Sequence, residues 1–218
     1  MTTSIDHNRT LACRIRGIVA DHGADLVSEY YANGRFAGNL FDGLGENPVG
    51  RFTSDDLLAA SLLDVRFEPR AVRGLVSDNA ADTALAAIPA DVAIWDGIAL
   101  GAESDSMKLW QSLRELDGIG PTRASKLMAR KRPHLYPILD SVVRRGLGLV
   151  NQNAWLGLQE ALADGDLRAD IDGLWTGSSD ERPSTLRLLD VAVWMRHSGS
   201  RNAKQAREAV GVAEADVA

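Results

Sequence analysis

The stretch that decides the fold covers residues 116–127, and it reads Leu116-Asp117-Gly118-Ile119-Gly120-Pro121-Thr122-Arg123-Ala124-Ser125-Lys126-Leu127. This pattern predicts two helices joined by a tight hairpin turn. Gly118 and Gly120 can adopt a positive φ and let another backbone or a phosphate approach closely. Pro121 suits the first position of the second helix, where its missing N–H has no partner in any case. The free N–H groups just past the turn would form a positive helix end that can hold an anion.

The charged residues are distributed unevenly around this stretch. The whole sequence carries a formal net charge of −6. Residues 114–145 nevertheless hold eight basic residues against three acidic ones, which gives this segment +5 and leaves −11 for the remainder. The eight are Arg114, Arg123, Lys126, Arg130, Lys131, Arg132, Arg144 and Arg145. Such a local excess is typical of an anion-binding surface, and a solvated basic helix face is the alternative.

Helical patterns extend from the hairpin in both directions. Either residue of the Ser-Asp pair at 104–105 can cap the helix before the turn. The helix after the turn runs over about 121–130, and we expect Arg123, Lys126 and Arg130 on its outer side. Phosphate contact by the hairpin and these basic residues would be independent of base sequence.

A second helix signal lies upstream of the hairpin. Thr53 and Asp56 stand at the spacing of a capping box, before a helix that is apolar on most sides and is therefore expected to be central and buried. No strand pattern is convincing anywhere in the chain. The sequence predicts an all-α fold of roughly eight to ten helices.

Three regions follow from these patterns. Residues 1–50 form an N-terminal segment of helices and loops packed on the core. Residues 51–197 form the all-α core, with the helix-hairpin-helix at 105–130. Residues 198–218 are polar and are expected to form a flexible tail, with a short helix around 203–210.

Several classes of site are excluded by composition. Cys13 is the only cysteine, so there is no internal disulfide, cysteine-based zinc site or cysteine-ligated cluster. The four histidines are scattered without metal-ligand spacing, and we expect no cofactor. The sequence has neither a signal-peptide pattern at its start nor an apolar run of about 18 residues. We therefore expect a cytoplasmic protein that does not bind membranes.

The hairpin resembles the helix-hairpin-helix motif of DNA-binding proteins. The motif pattern L-x-G-I-G-x-x-x-A is matched by Leu116, Gly118, Ile119, Gly120 and Ala124. Sixteen residues later comes Asp140, followed by Val143-Arg144-Arg145-Gly146-Leu147-Gly148. This order is similar to the hairpin, the Asp-containing loop and the next helix of the endonuclease III-like DNA glycosylase superfamily. The whole chain also resembles an uncharacterised bacterial family built around this hairpin.

The resemblance implies a glycosylase-like core that binds the phosphate backbone of duplex DNA. The residues expected to bind DNA are Gly118, Ile119, Gly120, Thr122, Arg123, Lys126, Arg130 and Arg144. For Arg144 the alternative is a solvated helix face.

A catalytic role is implied for Asp140 alone. In the superfamily the aspartate stabilises positive charge on the sugar or helps to activate water as the glycosidic bond breaks. The alternative for Asp140 is a helix N-cap. Members that also cleave the strand carry a lysine two residues before the matched alanine, and this position here is Thr122. No lyase activity is therefore expected.

Three functions fit the sequence. The first is a DNA-repair-like protein that binds duplex DNA through the hairpin. The second is a protein-interaction or regulatory scaffold on the same fold without nucleic acid, which the net negative charge and Thr122 favour. The third is a monofunctional glycosylase that uses Asp140. Tyr136 either packs in the core or stacks on a flipped base.

Overall fold

The computed structural model describes residues 2–32, 34–149 and 154–212, and the regular secondary structure within them is helical. These ranges contain twelve α-helices and no strand, which confirms the all-α class. The number exceeds the roughly eight to ten helices that the sequence predicts, and two of the twelve have only four and five residues. Over the same ranges, no helix combines the length and the apolar character needed to cross a membrane.

The α-helices are numbered in chain order. They are α1 Thr2–Ala20, α2 Gly23–Ala32, α3 Ser54–Ser61, α4 Pro69–Val72, α5 Asp82–Ala86, α6 Asp105–Glu115, α7 Pro121–Lys131, α8 Ser141–Leu147, α9 Ala154–Ala161, α10 Gly165–Asp172, α11 Thr185–His197 and α12 Arg201–Val210. A π-helical turn, Arg73–Ser77, continues α4, and 3-10 helices cover Ala37–Leu40 and Ser179–Glu181.

The chain folds as two compact units. One unit combines Met1–Phe36 with Leu139–Ala218, and we call it the split unit. The other is continuous over Ala37–Ile138, and we call it the hairpin unit because it contains α6, α7 and the turn between them.

Helix α11 is the centre of the split unit, where it contacts α1, α2, α8, α10 and α12. It is buried on nearly all sides, including its charged residues Arg187 and Asp190, which pair with each other. Gly146 allows α8 to approach, because a Cβ at this position would lie 2.7 Å from Val193 of α11. Close helix contact at this crossing therefore requires glycine.

The segment after residue 198 contains the short helix that its sequence indicates around 203–210. Residues 201–210 form helix α12, which packs against α2 and α11 through the buried Ala203 and Ala206. Its N-terminus is capped by Ser200, and Gly211 with a φ of 83° ends it. These are ordinary start and stop signals of a stable helix. Residues 213–218 of the expected tail lie outside the described residues.

The hairpin unit is built around α7, which contacts α3 and α6. The predicted caps are confirmed, since Ser104 caps α6 and Thr53 forms a capping box with Asp56 at the start of α3. Helix α3 was expected to be buried on most sides. Four of its eight residues are buried, whereas Leu58 is 54% exposed. The more deeply buried helix is α7, in which every residue from 124 to 131 is buried.

Candidate functional site

The hairpin turn, Leu116–Gly120, has the local geometry that its sequence predicts, with one difference. Gly118 has a φ of 86°, whereas Gly120 is extended with a φ of −81°. Only Gly118 therefore needs the left-handed conformation that favours glycine. The buried Ile119 donates its N–H to the carbonyl oxygen of Leu116 at 3.0 Å. Glu68 packs over the turn, because a Cβ at Gly118 would lie 3.0 Å from its Cγ.

Two arginines donate to the carbonyl oxygens of this turn. Arg114 Nη1 donates to Ile119 O at 2.8 Å, and Arg123 Nη1 donates to Gly118 O at 2.9 Å. Arg123 Nε donates in addition to the carbonyl oxygen of Arg66. The turn carbonyls are thus hydrogen-bonded to charged groups of the flanking helices, which gives stronger bonds than neutral donors would.

The start of α7 is capped by no side chain. Pro121 has no N–H, and the N–H of Ala124 donates to Gly120 O at 3.0 Å. The N–H groups of Thr122 and Arg123 therefore lack an acceptor within the helix. By contrast, side chains cap most of the longer helices, namely Thr53 for α3, Ser104 for α6, Asp140 for α8, Asp164 for α10, Ser184 for α11 and Ser200 for α12.

Five arginines lie on the hairpin helices or on the segment 66–73 that contacts the turn, and we call this group the hairpin rim. Its members are Arg66, Arg70, Arg73, Arg114 and Arg123. All are exposed except Arg123, which is half-buried. Arg70 pairs with Asp117 at 3.0 Å, and both side chains are largely in solvent. Gly74 follows Arg73 and lies against the turn, since a Cβ there would be 2.8 Å from Leu116 Cδ2.

Most of this rim was missed by sequence reasoning. Arg66, Arg70 and Arg73 lie within eight residues of each other in the stretch 66–73, so a count of local basic residues would have flagged them. Nothing in the sequence, however, indicates that this stretch packs on a turn about 50 residues later.

The expected positions of Lys126 and Arg130 on the outer side of α7 are wrong. Their exposed fractions are 4% and 2%. Lys126 Nζ donates to the carbonyl oxygen of Leu63. Arg130 donates to the carbonyl oxygens of residues 41, 42 and 44, and its Nε lies 3.4 Å from Asp56 Oδ1. Both side chains are therefore occupied inside the hairpin unit.

The next two basic residues are buried in the same way. Lys131 Nζ pairs with Asp56 Oδ2 and donates to Asn47 Oδ1 and to Pro48 O. Arg132 is 1% exposed and donates to five carbonyl oxygens, those of Val49, Leu85, Ile88, Pro89 and Lys131. Burial lowers the pKa of the Lys131 ammonium and that of the Arg132 guanidinium, because the charged forms lose water. Four of the eight basic residues in 114–145 thus stabilise the interior.

This burial changes the charge that faces solvent. The described residues bury seven basic side chains and two acidic ones, a set with a formal charge of +5. The net charge of −6 therefore leaves −11 on the rest of the chain. The protein is more acidic toward solvent than its sequence indicates, which opposes non-specific attraction to nucleic acid outside the hairpin rim.

Asp140 and Arg144 belong to the split unit, whereas residues 118–130 belong to the hairpin unit. Asp140 is the N-cap of α8, and its Oδ1 accepts the N–H groups of Val142 and Val143 at 2.9 Å each. The N-cap interpretation is therefore confirmed, and the catalytic role stays a prediction. Arg144 is half-buried, and its Nη1 lies 3.5 Å from the carbonyl oxygen of Leu149.

Tyr136 packs in the core of the hairpin unit. It is 1% exposed, and its hydroxyl donates to Ser106 Oγ at 2.7 Å. The stacking interpretation is wrong for this conformation, since no face of the ring is open to a base. Burial raises the pKa of the Tyr136 hydroxyl to about 12, because the phenolate would lose its water.

This pKa predicts a loss of stability at high pH. The unfolded state releases the Tyr136 proton near pH 10 and the folded state near pH 12, so the contribution is complete below pH 10 and is lost above it. We expect the stability advantage of the wild type over Tyr136→Phe to shrink by about 1.4 kcal/mol from pH 8 to pH 11. Urea unfolding of both proteins at each pH measures this difference. An advantage that stays constant with pH would contradict the prediction.

Among the described residues, no three His, Cys, Asp or Glu side chains gather where they could hold a metal ion.

No curated protein and no solved structure matches the chain. The resemblance to helix-hairpin-helix glycosylases accordingly stays a prediction. One family model, described as "Family of unknown function (DUF6308)", matches residues 23–197. Because this match spans most of the sequence, from the start of α2 to the end of α11, the chain belongs to this family of unknown function (DUF6308).

Proposed function

We propose that the hairpin unit binds the phosphate backbone of duplex DNA at the turn Gly118–Gly120 and the start of α7. The observation that carries the proposal is a helix N-terminus without a side-chain cap beside the arginines of the hairpin rim. N–H groups at such an end point toward an anion, and the helix dipole favours negative charge there.

The proposed contacts divide between backbone and side chains. A phosphate oxygen would accept the N–H groups of Thr122 and Arg123, while Arg66 and Arg70 supply positive charge. Arg70 would exchange Asp117 for phosphate, and this costs little because an exposed ion pair contributes only about 0–1 kcal/mol. Binding would be independent of base sequence, since phosphates carry no sequence information. Lys126 and Arg130 have no part in this proposal, because both are buried.

A salt titration of duplex binding tests the proposal. We expect the logarithm of the binding constant to fall linearly with the logarithm of salt concentration, with a slope of about −2 to −4 for two to four phosphates. Arg66→Met and Arg70→Met should each reduce the steepness of this slope by about 0.9. Arg201→Met, at an exposed arginine of the split unit, is the matched control and should leave the slope unchanged.

Two outcomes would count against DNA binding. One is the absence of wild-type binding to duplex at low salt. The other is a slope that is identical in the wild type, in Arg66→Met and in Arg70→Met, because the rim would then neutralise no phosphate.

The second candidate function is a protein-interaction scaffold, and the charge of −11 outside the buried set favours it. Such a surface suits a basic protein partner better than a polyanion. Purification without nuclease treatment separates the two functions. Co-purifying nucleic acid supports DNA binding, whereas a stoichiometric basic protein that dissociates at high salt supports the scaffold.

We also propose a cytoplasmic setting. Cys13 is the only cysteine of the sequence, and it is exposed and free of any disulfide. Proteins that lack disulfides are usual in reducing compartments.

A further inference from the structure

We infer that Arg114 and Arg123 are positioning residues, which hold the backbone of the hairpin turn instead of contacting phosphate. This role rests on the proposed function, because it concerns the same site. It differs from the sequence-based expectation, in which Arg123 binds DNA directly.

Two nitrogens of the Arg123 guanidinium already donate to backbone carbonyl oxygens. Its Nη1 donates to Gly118 O and its Nε donates to Arg66 O, so one side chain joins the turn to the segment that precedes α4. Arg123 is also the only half-buried member of the hairpin rim. The two carbonyl oxygens fix the orientation of this guanidinium, so its main role is to hold the backbone of the turn.

Arg114 acts on the next peptide group. Its Nη1 donates to Ile119 O and would lie 3.8 Å from a Cβ at Gly120, so the guanidinium runs along the turn. The carbonyl of Ile119 and the N–H of Gly120 belong to one planar trans peptide, in which they point in opposite directions. Holding the carbonyl therefore sets the direction of the Gly120 N–H at the start of α7.

Lysine cannot replace Arg123 if this role is correct. A lysine keeps the charge, but its single nitrogen cannot reproduce the fixed fork that reaches Gly118 O and Arg66 O together. A simple charge contact to phosphate, in contrast, tolerates the change to lysine. The pair Arg123→Lys and Arg123→Met therefore separates positioning from charge.

The experiment has one readout without DNA and one with it. In amide hydrogen exchange, the Ile119 N–H, which donates to Leu116 O, should exchange roughly 10-fold faster in Arg114→Met, Arg123→Met and Arg123→Lys. Arg70→Met removes a rim charge whose ion pair is with the Asp117 side chain, and it should leave this exchange rate unchanged. Unchanged exchange in all variants would overturn the inference.

With duplex DNA, Arg123→Lys should bind roughly 10-fold more weakly than the wild type while keeping the wild-type salt slope. Wild-type affinity in Arg123→Lys would overturn the inference and make Arg123 a plain phosphate contact. If the wild type itself binds no duplex, the proposed function fails, and the exchange of Ile119 still decides whether the arginines hold the turn.

Discussion

Arg132→Met is expected to lower the free energy of unfolding by about 4 kcal/mol or more. Methionine fills much of the same space but donates no hydrogen bond. The substitution would remove the guanidinium that donates to five carbonyl oxygens, of which Leu85 O keeps the N–H of Ile88 as a second donor. Each buried acceptor that loses its partner costs about 1–3 kcal/mol, less whatever water or local rearrangement restores.

Urea unfolding followed by tryptophan fluorescence measures this loss, since Trp95 and Trp110 lie in the hairpin unit. Arg51→Met is the matched control at an exposed arginine of the same unit, and it should change stability by less than about 0.5 kcal/mol. Arg132→Lys should be nearly as unstable as Arg132→Met, because one ammonium cannot reach all five oxygens. A loss below about 1 kcal/mol in Arg132→Met would show that the carbonyls find other partners.

Local signals in the sequence predicted local structure well. Ser104, Asp140 and the Thr53–Asp56 box cap the helices that follow them, as expected. The hairpin helices and the positive φ of Gly118 were also predicted, because turn and cap chemistry depends on residues within one or two turns of each other. The glycosylase-like core and the division of the chain into regions 1–50, 51–197 and 198–218 stay predictions.

The orientation of the basic residues on α7 could not be predicted, because it depends on chain segments far away in sequence. The loop 41–49 has no regular secondary structure after Phe41, so its carbonyl groups need other donors. Arg130 satisfies three of them, Lys131 satisfies Pro48 O and Arg132 satisfies Val49 O. The same basic residues would face solvent on a helix without such a loop. The periodicity of the sequence cannot distinguish a buried basic face from a solvated one.

The proposed site shows the same division between local and distant information. The turn and the uncapped start of α7 follow from Gly118 to Pro121, which are neighbours in sequence. The arginines of the hairpin rim come partly from residues 66–73, whose place beside the turn depends on packing of Glu68 on Gly118 and of Gly74 on Leu116. Close contacts that only a residue without a Cβ permits decide this packing, and the sequence does not show which residues make them.

Asp56→Asn should lower the free energy of unfolding by about 3–5 kcal/mol. Asp56 is fully buried, and its carboxylate faces Lys131 Nζ and Arg130 Nε. It also accepts the N–H and the hydroxyl of Thr53, at 2.8 and 3.0 Å. Asparagine can keep a bond to the Thr53 N–H, so the expected loss comes mainly from two buried cations without a counter-ion. Urea unfolding measures the change.

Asp55→Asn provides the matched control, because Asp55 is adjacent, half-buried and accepts only from the Glu46 N–H among the bonds described. It should cost less than about 1 kcal/mol. The double variant Asp56→Asn with Lys131→Met should be less destabilised than the sum of the two single variants, since each single change leaves a partner charge buried and unpaired. Strict additivity would mean that Asp56 acts only as a helix cap. Arg130 and Lys131 would then owe their stability to their other acceptors, which are backbone carbonyls and Asn47 Oδ1.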